Sequence, residues 1–159
     1  IIRLLVITLL LLTLQTTVVA FTSIANIVPD IMVIWIVYIA VTEGQIQATL
    51  FGFGIGLAVD LVSGQFLGLS ALSKTTAGFL AGYFFNDNKT QNTLSHYQFL
   101  IIVGVVSLVH NVIYFVIFTR GSDVGLLTAI FEFGIFSALY TTAIAFIPMT
   151  VYARRPQLR

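Results

Sequence analysis

Charge is nearly absent from this chain: 8% of its residues are Asp, Glu, Lys or Arg, against 58% hydrophobic, and the mean hydropathy is +1.05. A soluble domain carries about 25% charged residues, because its water-facing surface requires them. This composition belongs in lipid. A bilayer span takes roughly 20 mostly apolar residues, so 159 residues hold about six spans in one integral membrane domain, with no room for a separate soluble catalytic domain. Lys and Arg number 7 against 6 Asp and Glu, which leaves no basic surface for nucleic acid. Cysteine is absent, which rules out disulfide and zinc-thiolate frameworks.

Polar residues punctuate the chain at fairly regular intervals and separate six apolar blocks, at about 4–21, 27–42, 46–62, 69–85, 99–118 and 124–152. The expected fold is all-α, a polytopic bundle of six transmembrane helices. The first block reads as a retained helix; a cleaved signal peptide, with Val18 and Ala20 as the small-residue site, is the competing reading. Ser23 to Asn26 make a polar break, and Pro29 with Asp30 form a helix start signal. The apolar run that follows, Ile31 to Thr42, is too short to span alone. It is either buried behind its neighbours or extended through Ile27 and Val28. Asn86 to His96 is the one extended polar stretch and reads as an aqueous loop.

With six helices both termini share a side. That side collects Arg3, Lys89, Arg154, Arg155 and Arg159, against Lys74 and Arg120 on the other. The positive-inside bias therefore places both termini in the cytoplasm.

Ionisable groups within spans are costly to bury, so they direct the search for function. Gly52, Gly56 and Asp60 recur at four-residue spacing on one face of the third helix, and Lys74, Gly78 and Gly82 repeat that spacing on the fourth. Glycines spaced in this way let helix backbones approach closely, so the two faces predict a tightly packed hairpin. Asp60 and Lys74 would then pair with each other or snorkel to the outer interface. Arg120 and Glu132 lie in the same outer half, either converging with them on a polar pocket or standing as separate interfacial charges. His110 and Asn111, near the middle of the fifth helix, are expected to make interhelical hydrogen bonds rather than relay protons or bind metal.

No Gly-x-Ser-x-Gly elbow, His-Glu-x-x-His pair or phosphate-binding loop occurs, and no two carboxylates share a helical face. The chain reads as a non-enzyme without a cofactor or metal.

The run from Gly52 to Leu72, with Gly56, Asp60, Gly64 and Gly68 in a Gly-Leu-x-x-Asp and Gly-Leu pattern, follows Val28-Pro29-Asp30 in a layout of about 160 residues. It resembles the bacterial rod shape-determining membrane protein MreD family. The resemblance carries over Pro29, Asp30, Gly56, Asp60, Gly64 and Gly68 as structural and interaction positions. The modest outer charges Lys74 and Glu132 are departures to which the resemblance carries over no role.

What the resemblance implies is an inner-membrane scaffold that binds the single-span protein MreC. Through MreC it would join an elongation machinery containing the MreB filament, the RodA glycosyltransferase and a penicillin-binding transpeptidase, and support rod shape and lateral peptidoglycan synthesis. Membrane lipid is the surrounding partner, and self-association as a homodimer is left open. The family's bundle is also similar to the substrate-binding subunits of energy-coupling-factor vitamin transporters, which makes a small-molecule uptake subunit the alternative function. Against that alternative, the expected outer loops, about 23–28, 63–68 and 119–123, are short and offer few polar groups to enclose a vitamin.

Overall fold

A helix that is apolar all round must be covered on every side. The run after Asp30 is such a helix, and it sits at the centre of the molecule. In the computed structural model, which describes residues 2–17, 27–64, 66–121 and 125–154, this helix is α2, Ile31–Glu43, following α1, Ile2–Thr17. Met32, Val33, Ile34, Ile36, Val37, Ile39, Ala40 and Val41 of α2 are all buried. The helices α3, Gln45–Ser63, and α4, Leu69–Ala81, pack on it. So do α5, Thr90–Ser95, α6, Tyr97–Phe118, and α7, Leu126–Ala153.

Burial, not extension, resolves the shortness of α2. Asp30 has extended backbone and its carboxylate Oδ1 accepts the Val33 N–H at 3.2 Å, so it is the N-cap, and the helix does not continue back into Ile27 and Val28. At 1.5 Å per residue its 13 residues cover about 20 Å of a hydrocarbon core about 30 Å thick. Among the described residues three helices, α3, α6 and α7, are long and apolar enough to cross a membrane by themselves, while α1 and α2 are shorter apolar helices.

Several boundaries differ from those read in the sequence. The described part of α1 ends at Thr17. Residues 18–21, the alternative cleavage site at Val18 and Ala20, and the Ser23 to Asn26 break lie outside the described residues. The fourth helix stops at Ala81 and tightens into a 3₁₀ turn, Gly82–Phe84. The stretch from Asn86 to His96 is not wholly aqueous: it contains α5, whose Thr93 and Leu94 are buried, and the Thr90 hydroxyl donates to the Val41 carbonyl at 3.3 Å. It thus covers the C-terminal end of α2. In α7, residues Ala129–Gly134 form a π-helical turn, and Pro148 has no N–H to offer the carbonyl of Ile144.

The α3–α4 hairpin is the most extensive helix pair, and its glycines set how close the two backbones come. A Cβ built on Gly52 would lie 2.4 Å from the Lys74 carbonyl oxygen, and one on Gly56 2.3 Å from the Ala71 Cα. On the other helix, a Cβ on Gly78 would lie 2.3 Å from the Ala48 carbonyl oxygen, and one on Gly82 2.4 Å from the Gln45 Cβ. A Cβ on Gly54, by contrast, would meet nothing within 4 Å. Gly56→Leu is therefore expected to cost about 3 kcal/mol or more, a fall of about 6–12 °C in the thermal midpoint in detergent, with Gly54→Leu close to the native value. Equal midpoints for the two variants would refute the packing account.

Candidate functional site

Two carboxylates organise the end of the bundle where α3 turns into α4, and each does so from a different helix terminus. Asp30, at the N-terminus of α2, holds the Val33 N–H with Oδ1, while its Oδ2 meets the Lys74 ammonium from α4 and lies 3.4 Å from His110 Nε2 of α6. Its own N–H donates to Thr141 Oγ1 of α7 at 3.0 Å. One residue therefore ties four helices together. Lys74 and His110 are almost wholly buried, and Asp30 keeps 20% of its side chain exposed. A buried ion pair is tolerable only when its remaining polar capacity is also met, and here the carboxylate is met on both oxygens.

The segment leading into Asp30 is clamped from both sides. Gln15 of α1 donates from Nε2 to the Pro29 carbonyl at 3.0 Å and accepts the Ile31 N–H on Oε1 at 2.9 Å. Ser137 of α7 donates to the Val28 carbonyl at 2.9 Å. Next to His110, Asn111 donates to the Gly134 carbonyl at 2.8 Å, at the end of the π turn. A π turn disturbs the regular helical ladder; the amide supplies a donor there. These groups border a polar cavity of about 270 Å³, walled by Asp30, Lys74, His110, Asn111 and Tyr114 among others. His110 Nδ1 and Ser107 Oγ are buried without hydrogen-bond partners.

Asp60, fully buried at the end of α3, holds the turn itself. Its Oδ2 accepts the N–H groups of Gly68 at 2.9 Å and Ala71 at 3.2 Å, and its Oδ1 accepts that of Ser70 at 2.9 Å. The first N–H groups of any helix lack partners within it, and their dipoles favour an anion. Asp60 is that anion for α4. Gly64, at φ 64°, ends α3, and Gly68, at φ 100°, precedes α4; both occupy the left-handed region that a side chain disfavours. Between them the turn projects Phe66 and Leu67, 71% and 69% exposed, with Leu61 and Val62 exposed beside them on α3.

The pairing read from the sequence is corrected on one point: Lys74 meets Asp30, not Asp60, and does not snorkel outward. The Asp60 carboxylate is engaged by backbone N–H groups from the turn and from α4 instead. Nor do the outer charges converge on one pocket, since Arg120 and Glu132 are both exposed and neither joins the cluster. His110 and Asn111 bridge to α2 and α7. Gln15, Thr141 and Ser137 are site residues that the sequence does not single out, and of these Gln15 carries a signal, as the one amide in the first apolar block.

Among the described residues, the geometry of this site neutralises charge and fixes backbone. Neither a curated protein nor a solved structure matches the chain. The model of one family, rod shape-determining protein MreD, matches residues 1–158, and with so nearly complete a match this helical membrane protein belongs to that family.

Proposed function

We propose that the chain is a non-enzymatic scaffold of the bacterial elongation machinery, which binds MreC through its membrane-embedded and outer surfaces. Through MreC it would connect to RodA, a penicillin-binding transpeptidase and MreB, and support lateral peptidoglycan synthesis. Family membership supplies the role in rod-shape determination. The observation that carries the finer reading is the Asp60-held turn, because an exposed apolar tip fixed to a buried carboxylate is a rigid contact for another protein.

In this reading α1, α2, α3, α4, α6 and α7 are the six spans, and both termini face the cytoplasm of an inner-membrane protein. Burial of Lys74 against Asp30 removes it from the surface count. Arg120 then stands alone on the outer side, against Arg3, Lys89, Arg154, Arg155 and Arg159.

The polar cavity favours the second reading, a substrate-binding subunit for uptake of a small molecule. Its volume of about 270 Å³ falls below the 300–1,000 Å³ usual for ligand pockets, and its two full charges already satisfy each other. The scaffold reading is the stronger.

The test has two arms. Purified from mild detergent, the chain should bring down MreC; recovery of a transporter ATPase module instead would overturn the scaffold reading. The chain has no cysteine, so single cysteines at Asn88 and Leu67, both exposed, report sidedness without background. Position 67 should react with an impermeant maleimide in intact cells and position 88 should not; the reverse pattern would invert the orientation.

A further inference from the structure

On another side of the bundle, α1 and α7 stand apart and leave a groove of about 600 Å³ floored by α2, which runs from Ile31, next to Asp30 of the polar cavity, to Glu43 at the opposite end. Its walls are apolar, from Ile7 and Leu11 on α1 to Ile144, Ile147 and Pro148 on α7, with Trp35 on the floor. Two charged side chains line it, Arg3 at the start of α1 and Glu43 at the end of α2. Both are exposed, and they form no ion pair with each other.

We propose that this groove binds one zwitterionic phospholipid whose headgroup carries a primary ammonium, with the phosphate against Arg3, the ammonium against Glu43 and an acyl chain along α1. Charge complementarity selects the occupant. A headgroup with both charges satisfies both side chains, whereas an anionic headgroup without an ammonium satisfies Arg3 and is repelled by Glu43.

The shape of the groove suits a lipid. It runs the length of α2 from Glu43 to Ile31, about 18 Å, with both charged side chains at one end and mostly apolar walls along the rest, the layout of a headgroup and an acyl chain. The inference requires only that the chain lies in a bilayer, and failure to recover MreC would leave it standing.

The chain provides its own reporter, since Trp35 is the only tryptophan in the sequence and lines the groove. Its indole N–H donates to Thr8 Oγ1 of α1 at 2.8 Å, and its ring stacks on Tyr38 at 5.1 Å. The purified full chain in micelles is titrated with phosphatidylethanolamine or phosphatidylglycerol, each dibrominated on its acyl chains, and quenching of Trp35 fluorescence is followed. Half-maximal quenching should need about threefold less of the ethanolamine lipid, the preference that one exposed ion pair provides. Glu43→Gln should bring the two curves together, and Arg3→Gln should move both to higher lipid fractions. Ile147→Phe, which narrows the groove, should weaken quenching by both lipids. Equal quenching of the native chain by the two lipids would overturn the proposal, as would a preference that survives Glu43→Gln. So would quenching too weak to saturate at any lipid fraction, the result if a protein segment fills the groove.

Discussion

Lys74→Met is expected to lower stability by about 3–5 kcal/mol, because it leaves the Asp30 carboxylate in the interior of the bundle without the cation that balances it. The cost arises mainly from the stranded partner and not from the lost attraction, since the desolvation of a buried charge is large whether or not it is paired. That distinction makes the prediction sharp. Asp30→Asn added to Lys74→Met removes the stranded charge, keeps an oxygen that can cap Val33 and should recover most of the loss. Expressed as a thermal midpoint in detergent, the single variant should fall by about 6–20 °C, at about 2–4 °C per kcal/mol. If Lys74→Met melts with the native protein, or the double variant melts no higher than the single one, the pair is not what joins α4 to α2.

Asp30 and Lys74 are 44 positions apart, and that separation explains why the sequence misled about the pairing. Helical periodicity reports which residues share a face of one helix; it says nothing of which face a third helix will present to them. Asp60 and Lys74 sit at facing ends of a hairpin, so proximity along the chain suggested a pair. Asp60 lies instead beside the free N–H groups of α4, where a carboxylate has three backbone donors within reach. That outcome was legible in principle from a carboxylate followed by a glycine-bounded turn and a helix start. The glycine spacing was more informative, because close approach depends on the missing Cβ alone and needs no knowledge of a third element. Hydropathy likewise located the apolar blocks and offered burial as one of two readings of the short α2, yet it could not see that α7 would carry a π turn answered by Asn111.

Asp60→Ala, expressed at the native level, is expected to round rod-shaped cells and to reduce recovery of MreC. The substitution removes the acceptor for the N–H groups of Gly68, Ser70 and Ala71, at a cost of about 2–3 kcal/mol, as for loss of a strong helix cap with more than one donor stranded. The turn carrying Phe66 and Leu67 then loses its anchor to α3. Loss of stability alone could also reduce recovery, so a second variant separates the two effects. Phe66→Ser with Leu67→Ser leaves Asp60 and its three donors in place, changes only exposed side chains and should barely move the thermal midpoint. If the turn is the contact, this double variant should still lose MreC, because it deletes the apolar tip that a partner would bury. Two results would remove the turn from the interface: rod shape and MreC recovery that both survive Asp60→Ala, or a Phe66, Leu67 variant that recovers MreC as well as the native chain does. Asp60 would then be a helix cap that holds the hairpin closed, and the contact would have to lie on the lipid-facing sides of α6 and α7.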